Sequence, residues 1–542
     1  MRFPSLLLRS RRWAVGLFLG LLTVLGMALV RDYGMGWDEP AERLNAFVSA
    51  RYVALRLAPE LARRQPRLAD IPALRRHRDA DHGVLFMLPL VAAEALWPAD
   101  PATWAYRRHL AGFLLFVAGA WAVYRLGTML LGSWRWGLVG AGLLVLSPRI
   151  FAEAFYNYKD VVFLSLFALA MLTLLRLLRR PTAGRALLHA LATAAAIDVR
   201  AMGVLLPALT LGFAALELVY RPVRRRAFVG ALGLYVPVLA ALVVLGWPYL
   251  WDNPVHYLGA ALGSFGHYAK AMEVFYLGRF VAVRALPWHY APVWLLITTP
   301  VPYVVLFGIG LWGLARAAWI AGPGRWLRRT NSRRYLLVLA WFAGPLVGVI
   351  GLRSVLYDGW RHLYFIYPAV VLVAGLGLRL LWHAWQRRQT AAAPPRALAA
   401  GALLVALALG MARVAWRMVA EHPFQYAYFS FLPGRVVEQQ FERDYWGLSV
   451  KQGLEWVLAH DARPAVPVSM DERTEMTLRI NAKMLPPAAR ARLRLVAADS
   501  AGGGYFLSIY RWHPGAYPAS VGRPVHTIRV GGAAILGVWR RP

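Results

Sequence analysis

A chain of 542 residues that is 59% hydrophobic and 16% charged, with a mean hydropathy of +0.46, is too apolar for soluble domains and reads as a protein of the membrane. The same balance excludes a disordered chain, and the absence of cysteine excludes a disulfide scaffold and a zinc ribbon. The net charge is +34, but only four of the 61 basic residues are lysine and the arginines fall between apolar runs, a pattern of topology signals with no nucleic-acid-binding surface.

In chain order, the uncharged run 13–30 follows Arg2, Arg9, Arg11 and Arg12 and reads as a signal anchor with a cytoplasmic N-terminus. Further spans are expected at 108–129, 134–148, 160–178, 184–199, 201–220, 227–247, 291–316, 335–352, 362–382 and 397–418, about eleven in all. The arginine-dense connections 125–135, 176–185, 221–226, 316–334 and 379–396 then lie inside. Loops 31–107, 148–160 and 248–290 and the C-terminus lie outside. Loop 31–107 is itself basic, but long translocated loops escape the rule. Its stretch 83–97 is apolar over 15 residues, the length of a helix lying in the interface. The expected fold is an α-helical polytopic domain over 1–422, followed by a small extracytoplasmic α+β domain over 423–542 with a helix at 449–460 and strands at 505–512 and 525–530.

Four regions carry candidate chemistry. Where the first span ends, Asp38 and Glu39 stand side by side, and a carboxylate partly withdrawn from water there has the character of a general base. The competing reading is a capped helix start, with Pro40 in its first turn. In 148–160, the residues Glu153, Tyr156 and Asp160 share one helical face, and ionisable groups at a span edge usually face a polar cavity. Lys159 either pairs with Asp160 or serves a phosphate. Loop 248–290 mixes aromatic residues with His256, His267, Lys270, Arg279, Arg284 and His289, which suits an anionic lipid head group or an aromatic belt. Arg361 and His362 crowd the last outer connection with Tyr357 and Asp358; arginine suits bidentate phosphate binding, although Arg361 also reads as a flanking charge. Asp79 and Asp81 between His77 and His82 read better as a solvated loop than as a metal cluster. Gly16 and Gly20 form one GxxxG, expected to serve packing within the bundle.

The order of these parts resembles the GT-C glycosyltransferases, in particular the bacterial relatives of protein O-mannosyltransferases and the lipid A aminoarabinose transferase. The resemblance rests on Trp37-Asp38-Glu39, the segment 82–97, Arg107-Arg108-His109, the segment 147–160, Thr298-Thr299-Pro300, Arg361-His362 ahead of Tyr367-Pro368, and the run 441–449. It covers roughly residues 1–460 and departs at Gly83, where relatives often carry proline. It implies an inverting hexosyl- or pentosyltransferase of the bacterial inner (plasma) membrane, moving a sugar from a polyprenyl-phosphate donor to an extracytoplasmic acceptor hydroxyl on a glycan, lipid or protein. Asp38 would be the base, Glu39 its positioning partner, and Asp160 part of the same cavity, with a divalent metal (Mg or Mn) held by Asp38 and Asp160 as in some relatives. Arg361, Lys270, Arg200 and Lys159, in that order, are the candidates for the donor phosphate, and Tyr156, Glu153 and His362 for the cavity on the acceptor side. A transporter or flippase of lipid-linked sugars is the rival, since it too needs an outer cationic cavity, but no inverted repeat is visible.

Overall fold

The computed structural model describes residues 3–64, 68, 70–266, 272–387, 395–498, 503–518 and 521–541. Helix α1 (Phe3–Leu29) leads through a turn into α2 (Glu39–Leu57) and α3 (Pro59–Arg63), and α4 (Met87–Leu96) lies within the expected interface segment. A bundle follows with α5 (Pro101–Leu131), α6 (Trp134–Val145), α7 (Pro148–Tyr156), α8 (Asp160–Arg179), α9 (Ala183–Ile197), α10 (Leu205–Tyr220) and α11 (Arg225–Gly246). The next connection holds α12 (Pro254–Gly266) and a hairpin of β1 (Glu273–Tyr276) and β2 (Arg279–Ala282). The bundle resumes with α13 (Tyr290–Thr298), α14 (Val301–Ala321), α15 (Pro323–Arg328), α16 (Thr330–Gly351), α17 (Tyr367–Gln386) and α18 (Pro395–Ala420). The rest comprises α19 (Gly434–Gln440), α20 (Ser449–His460), β3 (Val466–Met470), α21 (Glu475–Ala482), α22 (Pro487–Ala491), β4 (Leu493–Leu495), β5 (Tyr505–Ser508), β6 (His526–Val530) and β7 (Ala533–Arg540).

Among the described residues nine helical stretches are long and apolar enough to cross a bilayer, and α6 with α7 makes a tenth if the pair is one span bent by 70°. The chain is a multi-span helical membrane protein. The expected span 134–148 does not continue as one straight helix. Ser147 is extended ahead of Pro148, whose ring disfavours a helical predecessor, and its hydroxyl donates back to the Leu143 carbonyl at 2.8 Å. The expected span 184–199 is α9, only 15 residues long. Ordinary end signals set α5: Asp100 accepts from the Thr103 backbone N–H at 3.0 Å, and Gly132 closes the helix at φ +71°.

Burial grades the bundle from centre to rim. The apolar windows of α8 and α17 are 83% and 72% buried, every residue of α7 is buried, and the window of α1 is only 11% buried. Trp13, Leu17, Leu21 and Val24 of α1 face outward, as side chains against lipid do. The packing expected at Gly16 and Gly20 is not made, because nothing lies within 4 Å of a methyl group placed at either. The sheet runs β4-β3-β5-β7-β6, parallel among the first three and antiparallel after, over its own core of Val450, Leu454, Val468, Leu507, Leu536 and Val538. Tyr426, Phe429, Phe441, Tyr445 and Trp446 belong instead to the main core, beside Trp294 and Tyr364. The helix expected at 449–460 is α20; the strand expected at 505–512 stops at Ser508, since Tyr510 turns the chain with a left-handed φ of +58°.

Candidate active site

Asp38 is the residue before α2 and makes no capping bond with its side chain; its Oδ2 meets Arg361 Nη2 at 3.0 Å instead. Its side chain is 37% exposed, against 2% for the Glu39 side chain. Glu39 is fully occupied. It accepts from the Gly36 backbone N–H at 2.7 Å and the Tyr158 hydroxyl at 2.7 Å, and meets His109 Nε2 at 3.1 Å. It therefore holds the turn that presents Asp38, with Pro40 just behind it in the first turn of α2. A further bond fixes the turn from the far side, from the Trp37 N–H to the Trp446 carbonyl at 3.1 Å.

Glu153, Tyr156 and Asp160 do not share one continuous helix. Helix α7 ends at Tyr156 and α8 begins at Asp160, so that Asn157, Tyr158 and Lys159 form a short break between them. Asn157 spans it, donating to Glu153 Oε2 at 2.8 Å and Asp160 Oδ2 at 3.0 Å and accepting from the Asp160 N–H at 2.8 Å. Such non-helical backbone at the end of a span is stable where side chains satisfy its polar groups. Asp160 pairs with Arg200 and, at 3.2 Å, with Arg361. Glu153 is committed to the hydroxyls of Tyr364 at 2.7 Å and Tyr445 at 3.3 Å. Lys159 does not pair with Asp160; its partner is Glu42 on α2, and its ammonium also lies 3.0 Å from His82 Nδ1. Burial, with Lys159 and Arg200 nearby, holds His82 well below the usual histidine range, so it is the neutral acceptor of that bond.

Arg361 is the hub. Its guanidinium meets Asp38, Asp160 and, at 3.0 Å, Asp358, and lies 4.8 Å from the ring centre of Trp446. Around it opens a cavity lined by Arg200, Lys159, His82, His362, Tyr357 and Val355, with Asp38 and Arg361 in its wall. A second, smaller space shares Asp38, Lys159 and Arg361 and adds Glu39, Glu42, Tyr156 and Trp446. The site is thus two-lobed, cationic on one side, aromatic and acidic on the other, with Asp38 between. The structure brings Asp38, Glu39, Asp160, Arg361, Arg200, Lys159, Tyr156 and His362 together; Glu153 stands behind them, and Lys270 and His267 lie outside the described residues.

Asp38 and Asp160, the expected metal ligands, both meet Arg361, and among the described residues no group of three or more acidic or histidine side chains could hold a metal ion. Sequence reasoning missed Arg511, whose Nη2 meets Asp358 Oδ1 at 2.6 Å, and Glu442, buried beside it. The run 441–449 acquires a physical reason: Asp444 accepts from the Gly447 N–H, the Ser449 N–H and hydroxyl, and the Tyr426 hydroxyl, which seats the start of α20 and aims Trp446 at Arg361.

No family model matches the sequence, and no curated protein matches it. Among solved structures the chain is similar to the Archaeoglobus fulgidus oligosaccharyltransferase in its apo form, at 11% identity and a TM-score of 0.47, over 89% of this chain and 64% of that one. It is similar to ArnT from Cupriavidus metallidurans bound to undecaprenyl phosphate, at 13% identity and a TM-score of 0.48, over 97% and 98% of the two chains. It is also similar to the arabinofuranosyltransferase AftD from Mycobacteria, at 19% identity and a TM-score of 0.42, over 84% and 29%. The chain therefore spans under two thirds of the length of the first and third of these.

Proposed function

We propose that this chain is an inverting glycosyltransferase of the membrane, taking a sugar from a polyprenyl-phosphate donor and placing it on an acceptor hydroxyl outside the cytoplasm. The observation that carries this reading is the position of Asp38 between a cationic lobe and an aromatic, acidic one. Arg361, Arg200 and Lys159 are suited to a phosphate, whose charge grows as it departs. Trp446 and Tyr156, with carboxylates around them, are suited to the faces and hydroxyls of an acceptor. The acceptor oxygen forms its bond to the anomeric carbon as the bond from that carbon to the phosphate oxygen breaks. Asp38 receives the acceptor proton, and the bonding pair leaves on the phosphate. Glu39 has no part in proton transfer, because its oxygens are spent on Gly36, His109 and Tyr158. No step is routed through a metal.

The test incubates the purified protein with a panel of polyprenyl-phosphate sugars and membrane extract, and reads the products by mass spectrometry. Wild type releases free carrier and a glycosylated product, and Asp38→Asn loses about 10²- to 10⁴-fold of that turnover. Equal donor binding by both with no donor consumed, even after Mg or Mn is added, would favour the transporter of lipid-linked sugars.

A further inference from the structure

Arg511 follows β5 in the C-terminal sheet domain, yet its side chain is only 6% exposed and reaches the ionic network around Arg361. Nη2 meets Asp358 Oδ1 at 2.6 Å, and Nη1 donates to the Tyr445 carbonyl at 2.6 Å. The guanidinium also lies 5.8 Å from the ring centre of Trp37, next to Asp38, and 5.3 Å from that of Trp512. Asp358 in turn gives its other oxygen to Arg361, the group that holds Asp38 and Asp160. Three carboxylates, Asp38, Asp160 and Asp358, thus face three guanidiniums, Arg200, Arg361 and Arg511.

Both ends of the Arg511 contact are built into the backbone. Tyr510 has φ +58° and Asp358 φ +56°, left-handed values that a side-chain-bearing residue keeps only where its surroundings enforce them. Arg443 supplies that enforcement on one side, donating to the carbonyls of Pro514 and Ala534 and lying over the Tyr510 ring at 4.4 Å. On the other side the Gly359 N–H is tied to the Tyr290 hydroxyl at 3.2 Å. Burial alone would lower the Arg511 pKa; its acidic neighbours, Asp358 foremost, more than offset it, so the charge is retained.

We propose that Arg511 is a positioning residue of the active site: by holding one oxygen of Asp358 it fixes the other on Arg361 Nη2, the same nitrogen that meets Asp38, and so sets where Asp38 stands. This rests on the glycosyltransferase reading for its catalytic consequence, and it makes the site incomplete without the C-terminal domain. The charged groups involved are few. Asp38 faces Arg361, Arg511, Lys159 and Glu42, while Asp358 faces Arg361, Arg511 and Glu442. With Arg511 neutralised, Asp358 draws Arg361 toward itself and away from Asp38, and Asp38 loses the contact that holds it in place.

The experiment compares wild type, Arg511→Gln, Arg511→Lys, Asp358→Asn and the doubly neutralised Arg511→Gln/Asp358→Asn chain, all full length. Two readouts are taken: kcat and donor KM in turnover, and the affinity for a polyprenyl phosphate by calorimetry, which needs no turnover. Arg511→Gln is expected to lower kcat about tenfold while raising donor KM by less than about threefold, and to weaken the polyprenyl phosphate by a similar small factor as Arg361 shifts. Both Arg511→Lys and the double variant return toward wild type. A folded Arg511→Gln chain with wild-type kcat and wild-type affinity overturns the proposal. So does an equal loss in every variant with no rescue, the mark of a bond that merely keeps the domain attached. If wild type turns over no donor, the glycosyltransferase reading fails, and the calorimetry still decides the role of Arg511.

Discussion

Two adjacent carboxylates, Asp38 and Glu39, end in different surroundings, and that difference assigns their roles. Their presence at the end of a span is legible in the sequence; which of them remains available to a substrate is not, because His109, Tyr158 and Trp446 come from distant segments. Arg511 and Asp358 stand 153 residues apart, so no spacing rule pairs them. The same holds for Glu442, whose two oxygens are buried without a hydrogen-bond partner among the described residues and whose pKa burial pushes up to about 8. In the unfolded chain this group ionises above about 4.5. Between those values the folded state holds the extra proton, so Glu442 makes stability fall as pH rises, by up to about 1.4 kcal/mol per pH unit, and adds no further slope above about 8. Glu442→Gln is therefore expected to gain thermal stability relative to wild type from about pH 5 to 8, read by unfolding in detergent. A difference between the two chains that stays constant across that range would show that Glu442 carries no such proton.

At the scale of elements, apolar length and arginine placement located most of the bundle, and Ser449–His460 coincides with its expected helix. What periodicity could not show was the break between α7 and α8, since a helical wheel runs through Asn157 as readily as past it. Gly83 is a second case. This chain brings the loop so close to Asp198 that a methyl group at Gly83 would sit 2.3 Å from the Asp198 carbonyl oxygen. The Leu85 N–H donates to that same oxygen at 3.1 Å. Asp198-Val199-Arg200 is thus the shelf on which the loop rests and from which Arg200 reaches Asp160. Gly83→Ala is expected to cost about 1–3 kcal/mol of stability and, by moving Arg200, to weaken donor binding more than Asp38→Asn does. Unchanged donor affinity by calorimetry, in a destabilised but folded variant, would separate the shelf from the site.

At the scale of the whole molecule, composition declared the bilayer, but the joint between the bundle and the sheet domain is a matter of packing. Residues such as Phe441, Tyr445 and Trp446 read as the start of the C-terminal domain and are buried in the main core, because the chain returns to the bundle before it builds the sheet. The balanced ring of charges around Arg361 has a thermodynamic consequence. Lys159 is already matched by Glu42, so among the described residues the cavity has no surplus cation awaiting an anion. A phosphate entering it makes the local charge negative unless something compensates, and the nearest compensation is hydrogen ion taken up from the solvent by a carboxylate. Association of a polyprenyl phosphate should then consume buffer protons, and the heat measured on titration should change with the ionisation enthalpy of the buffer. A heat identical in phosphate and Tris buffers would mean that the anion enters without a proton, leaving the ring to rearrange around it.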